Sequence, residues 1–95
     1  MRFAQALRAG KLLGPELTAA ALAPQGRGGW YGYGFQTRQM NGKELRGHGG
    51  GGPGSGINSE LGWFVDGSYT VAVLCNYDMS ATPFFEGLME FLARQ

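Results

Sequence analysis

The chain has 95 residues, 43% of them hydrophobic and 16% charged, which is the composition of a single globular domain and not of a disordered segment. Its net charge of +1, without a basic run, argues against a surface that tracks nucleic-acid phosphates. No apolar stretch approaches the roughly 20 residues of a membrane span, and Met1–Leu13, with Arg2, Arg8 and Lys11, lacks the apolar centre and cleavage site of a signal peptide. Glycine is the anomaly, at 18 residues, many of them between Gly47 and Gly56. So many positions without side chains leave little for a core, a first sign that the chain belongs inside something larger.

In chain order, Phe3, Ala6 and Leu7 share one face of a short helix that Gly10 ends. Gly14-Pro15-Glu16 starts a second helix, with Pro15 at its first position and Glu16 at the positive end of the dipole. Ala19 to Ala23 continues it and Pro24 stops it, so residues 1–24 are expected to be helical. Gln25–Gly29 reads as a loop. From Trp30 the period changes to two, with Tyr31, Tyr33, Phe35 and Thr37 on one strand face and Gly32 and Gly34 on the other. Asn41-Gly42 is a strong hairpin signal, because both central residues of a type I′ turn take positive φ.

Lys43–His48 is the returning strand, followed by the glycine-rich segment. Asn58–Val65 reads as a third strand, Asp66-Gly67 as a second tight turn and Tyr69–Asn76 as a fourth strand. Antiparallel strands thus fill residues 30–78. The fourth is almost wholly apolar, which predicts cover on both its faces. Residues 82–94 form an amphipathic helix, with Thr82 as cap, Pro83 in first position and an apolar stripe of Phe84, Phe85, Leu88, Met89 and Leu92. The order is that of an α+β fold: an antiparallel sheet of about four strands flanked by N-terminal helices and a C-terminal helix. One cysteine excludes an internal disulfide; Cys75, in the run Val71–Cys75, reads as a small core residue.

The chemistry centres on His48, the only histidine, just ahead of Gly49-Gly50-Gly51-Gly52-Pro53-Gly54. It is either a polar residue at a strand end or part of an oxyanion-hole strand, where glycine N–H groups face a reacting carbonyl. A phosphate loop is excluded, since no Lys-Ser or Lys-Thr follows and no helix starts there. His-Gly-Gly-Gly is also the oxyanion loop of lipase-type α/β-hydrolases. That fold needs a Gly-x-Ser-x-Gly elbow, which none of Ser55, Ser59, Ser68 and Ser80 provides, and a parallel sheet.

Four stretches, taken in order, carry a more specific resemblance: Tyr31-Gly32-Tyr33-Gly34-Phe35, Gly47-His48-Gly49-Gly50, Gly54-Ser55-Gly56-Ile57-Asn58-Ser59-Glu60-Leu61 and Val71-Ala72-Val73-Leu74-Cys75-Asn76-Tyr77-Asp78. Across essentially its whole length, 1–95, the chain resembles the C-terminal portion of the serine β-lactamase-like family, which includes class C β-lactamases, D-alanyl-D-alanine carboxypeptidases and related esterases. The resemblance implies that His48-Gly49-Gly50 occupies the family's third motif, Lys-Thr-Gly or His-x-Gly, on the strand lining the active site. His48 would stand for the motif's Lys and orient substrate or the catalytic tyrosine. Gly49 and Gly50 would line the substrate, and the Gly51 backbone N–H would complete the oxyanion hole. Gly49 carries no hydroxyl, which favours an ester or peptide-like substrate over penicillin-type carboxylate recognition.

The resemblance implies no cofactor and no metal. It implies a small-molecule or peptide-like acyl substrate in a full-length parent, with neither nucleic acid nor a membrane span. Relatives are often exported, and nothing in this chain fixes a compartment.

The family's nucleophile lies in Ser-x-x-Lys, where Lys helps deprotonate Ser. Here the residues three after Ser55, Ser59, Ser68 and Ser80 are Asn58, Gly62, Val71 and Pro83. No tyrosine begins a Tyr-x-Asn motif either. Both motifs lie upstream in the family. The chain is therefore expected to be a truncated product or segment that is inactive alone. Its sheet edge is expected to self-associate or to pair with the part carrying the nucleophile. The competing readings are a small sheet-edge binding module and a remnant without function.

Overall fold

Two tight turns set the register of the sheet. In the computed structural model, which describes residues 1–26 and 28–95, Asn41 and Gly42 sit at φ 50° and 80° and join Met40 to its partner Lys43. That is the type I′ geometry whose twist matches flanking strands. At the second turn Gly67 takes φ 83°. Asp66 Oδ1 there accepts the Ser68 N–H at 2.8 Å and the Ser68 hydroxyl at 2.6 Å. These bonds, first the hydroxyl's, with Lys43 assisting, pull the Asp66 carboxyl from 3.8 down to about 2. The turn's contribution is therefore complete above the ordinary carboxylate pKa and is lost as pH falls through that lowered value.

The strands are β1 (Gln36–Met40), β2 (Lys43–Gly50), β3 (Asn58–Phe64) and β4 (Thr70–Cys75), hydrogen-bonded in the order β1-β2-β3-β4 and antiparallel throughout. The helices are α1 (Arg2–Arg8), α2 (Pro15–Leu22) and α3 (Ala81–Ala93). The fold is thus α+β, with a four-stranded antiparallel sheet and three helices. No helix among the described residues is long and apolar enough to cross a membrane.

Side chains alternate across the sheet, and both faces are used. On one face Leu45 and Phe64 pack with Phe85, Met89 and Ala93 of α3, joined by Val71 and Val73. On the other, Trp63 packs with Ala4 and Leu7 of α1, joined by Leu22, Phe35 and Leu61. Neighbours Trp63 and Phe64 point opposite ways and are both buried. Gly62 lets α3 settle closely: a Cβ there would stand 2.5 Å from Phe85 Cζ.

Several expectations are corrected. The strand expected from Trp30 begins only at Gln36, and Tyr31 makes isolated bridges to Gln25 and Gln36. Gly34, at φ 90°, breaks the pleat, so Phe35 packs on Trp63 while Tyr33 is 70% exposed. The buried face of α1 is Ala4 and Leu7, with Phe3 exposed. Helix α3 starts at Ala81, and its buried line is Ala81, Phe85, Met89 and Ala93, with Phe84 63% exposed. Thr82 is not its cap; the Thr82 N–H instead donates to Asn58 Oδ1 at 2.9 Å, so a side chain of β3 caps the helix.

Strand β4 is covered on one face only. Val71 and Val73 meet α3, whereas Ala72 is exposed and Leu74 is 84% exposed. Cys75 is half-buried at its end, less enclosed than a core residue. As the last strand of the sheet, β4 has a neighbour on one side alone among the described residues.

Phe85→Ala should cost about 3–5 kcal/mol in urea unfolding, whereas Phe84→Ala should stay within about 0.5 kcal/mol. Equal costs would return Phe84 to the core.

Candidate active site

The site is built where β1 ends early. Gln36 lies opposite Gly47, and β2 runs three residues further, through His48, Gly49 and Gly50, paired with β3 alone. In an antiparallel ladder, successive residues turn their N–H and C=O groups to opposite neighbours. The Val65 N–H donates to the Glu44 carbonyl at 2.9 Å, so the even-numbered residues of β2 face β3. Gly49 consequently turns its main chain toward the side that β1 has vacated.

His48 stands on this open stretch, exposed, with both ring nitrogens engaged. Nδ1 lies in hydrogen-bond contact with the Gly49 carbonyl, and Nε2 is 2.8 Å from Tyr31 Oη. The two rings meet edge to face, with centroids 5.6 Å apart and planes at 76°. Tyr31 is itself fixed through its backbone, since its carbonyl accepts the Gln25 N–H at 2.7 Å.

Below Gly49 lies Glu60, whose Oε1 accepts the Thr82 hydroxyl at 2.8 Å. A Cβ on residue 49 would stand 2.7 Å from that same oxygen. A threonine here would push Glu60 off Thr82. Gly50 is tied in as well: the Asn58 amide donates to its carbonyl at 3.3 Å. Asn58 is 3% exposed and also caps α3, so one buried side chain holds the end of β2 to the helix.

At Gly51 the chain leaves the strand with φ 89°, and a Cβ would lie 2.2 Å from the Ile57 carbonyl oxygen, so only glycine fits. The loop that follows is clamped by Asp78. Its Oδ2 accepts the Gly54 N–H at 2.6 Å, and its Oδ1 accepts the Gly56 N–H. Ser55 Oγ donates to the Gly52 carbonyl at 2.7 Å. That serine is therefore employed in the loop.

The structure thus brings His48, Gly49, Gly50 and Gly51 together on one strand end, as the sequence order requires. Three supporting residues received no role from sequence: Tyr31, Asn58 and Asp78. Each acts on a partner 17 to 24 residues away, a separation at which no local pattern operates. The small cavity touching His48, between Gln36, Arg46 and Leu61, holds about 10 Å³, room for a single water. Among the described residues no three His, Cys, Asp or Glu side chains gather as metal ligands.

No family model, curated protein or solved structure matches the chain. The site must be argued from its geometry.

Asp78→Ala should raise amide exchange at Gly54 and Gly56 by roughly tenfold, the value of a charge-assisted hydrogen bond. Amides of β3 such as Leu61 and Trp63 should not change. Unaltered exchange at both glycines would show that Asp78 does not hold the loop.

Proposed function

We propose that the chain is the C-terminal portion of a β-lactamase-related serine hydrolase, working in acyl transfer on an ester, amide or β-lactam. The observation that carries this reading is the open end of β2, where Gly49–Gly51 lies without a β1 neighbour beside the His48–Tyr31 pair. A substrate carbonyl placed along this edge develops negative charge as it is attacked. The Gly51 N–H, held at the strand end, is one donor for that charge. A fixed donor of this kind is worth about 3–4 kcal/mol of barrier. Gly49 and Gly50 let the substrate approach the main chain closely, and His48 stands at the flank, where it orients the substrate through the tyrosine hydroxyl it holds.

The nucleophile comes from a segment with Ser-x-x-Lys, and none of the four serines here can replace it. This chain's share of the chemistry is a rigid wall and an N–H. A second reading rests on β4, whose six residues, Thr70–Cys75, are uncharged and whose outer face is exposed at Leu74. An unguarded edge of this kind also suits a small module that adds a partner's strand to its sheet.

The two readings part at the reading frame contiguous with Met1. The hydrolase reading expects Ser-x-x-Lys and Tyr-x-Asn to be encoded ahead of it, and the protein made from the whole frame to hydrolyse p-nitrophenyl esters. In that protein His48→Ala should lower kcat by about 10²-fold with little change in melting temperature. A frame without these motifs favours the module. Full turnover with a lowered melting temperature would make His48 a structural residue.

A further inference from the structure

We infer that Tyr31 is a positioning residue for His48: its hydroxyl selects the ring tautomer that carries the proton on Nδ1 and fixes the direction of the ring. The argument begins at the other nitrogen. Nδ1 is in contact with the Gly49 carbonyl, and a carbonyl oxygen only accepts, so Nδ1 carries hydrogen and donates. In the neutral imidazole Nε2 is then a bare acceptor. Tyr31 Oη, 2.8 Å away, can only be donating to it.

The placement of Tyr31 is specific. The Trp30 carbonyl accepts the Thr37 N–H at 2.7 Å and the Tyr31 carbonyl accepts the Gln25 N–H, so the backbone is held on both sides of the phenol. The Trp30 ring stands edge-on to it, with centroids 5.4 Å apart. Tyr33, two residues on, is 70% exposed, which makes it the natural control. Both nitrogens of neutral His48 are saturated, leaving none free for a third partner. When an acid outside the pair gives Tyr31 Oη a proton, the phenol's own proton moves along the bond to Nε2, which then donates back to Oη while the new O–H points outward. The pair therefore passes a proton through the phenol oxygen without moving the ring. Its use in catalysis rests on the hydrolase reading; the tautomer does not.

Because the chain has one histidine, its ring nitrogens can be followed without ambiguity. The ¹⁵N-labelled 95-residue chain, examined by long-range ¹H–¹⁵N spectra with the imidazole in its neutral form, should show a protonated Nδ1 and an unprotonated Nε2. Tyr31→Phe should shift the ratio of tautomers toward Nε2–H by roughly 2- to 10-fold, the worth of one hydrogen bond. It should also speed modification of His48 by diethyl pyrocarbonate, and Tyr33→Phe should do neither. A wild-type ring protonated on Nε2 would overturn the inference without recourse to any variant. So would a Tyr31→Phe spectrum with the wild-type ratio. Absence of esterase activity in the longer protein would remove the hydrolase reading and leave the tautomer assignment standing.

Discussion

Strand β3 is buried from both sides, and the rest of the chain is arranged around that constraint. Trp63 and Phe64, adjacent in sequence, anchor the two faces of the sheet, one beneath α1 and the other beneath α3. Earlier in the same strand, Asn58 and Glu60 carry polar side chains to the α3 side. There they hold Thr82 in the first turn of the helix, and Asn58 also reaches the Gly50 carbonyl. The strand that supplies the core thus also fixes the end of β2. Losing Asn58 would take a partner from the Gly50 carbonyl and from a helix N–H together, a larger loss than one surface hydrogen bond.

The same architecture is finished on one side and unfinished on another. Consecutive hairpins pair β1 through β4, yet nothing among the described residues pairs the outer edge of β4, and Leu74 stands in solvent beside it. The glycine-rich end of β2 is likewise open, running past the last residue that β1 pairs. Rigid fixation of this end, by Asn58 beneath and Asp78 at the loop, is what a site element needs if its remaining walls arrive from another segment. That combination, a well-held motif strand beside two open edges, is common ground for the hydrolase reading and for a strand-adding module.

Much of the fold was legible because it is local. Asn41-Gly42 and Asp66-Gly67 mark their turns by backbone preference, and the strands beside them follow. The errors lie where one pattern serves two geometries. Alternating aromatics and glycines from Tyr31 look pleated, but a glycine takes either sign of φ, and Gly34 takes the positive one. Phe84 and Phe85 are equivalent in composition; the close approach over Gly62 decides that Phe85 is the one buried. An apolar β4 promised cover on both faces, yet apolarity does not say whether the covering partner is in the same chain. Of the site, the His48–Gly51 stretch was readable because it is contiguous. Tyr31 and Asp78 were not, since their partners are fixed only by tertiary pairing.

The central claim is that these residues wall an acyl-transfer site whose nucleophile lies outside them. Fluorophosphonate labelling followed by peptide mapping tests it most directly, on this chain alone and on the protein encoded by the whole contiguous frame. The account predicts no labelled serine in the 95-residue chain and, in the longer protein, a single labelled serine three residues before a lysine and ahead of Met1. Stoichiometric labelling of Ser55, Ser59, Ser68 or Ser80, or a longer protein that takes no label, would contradict it.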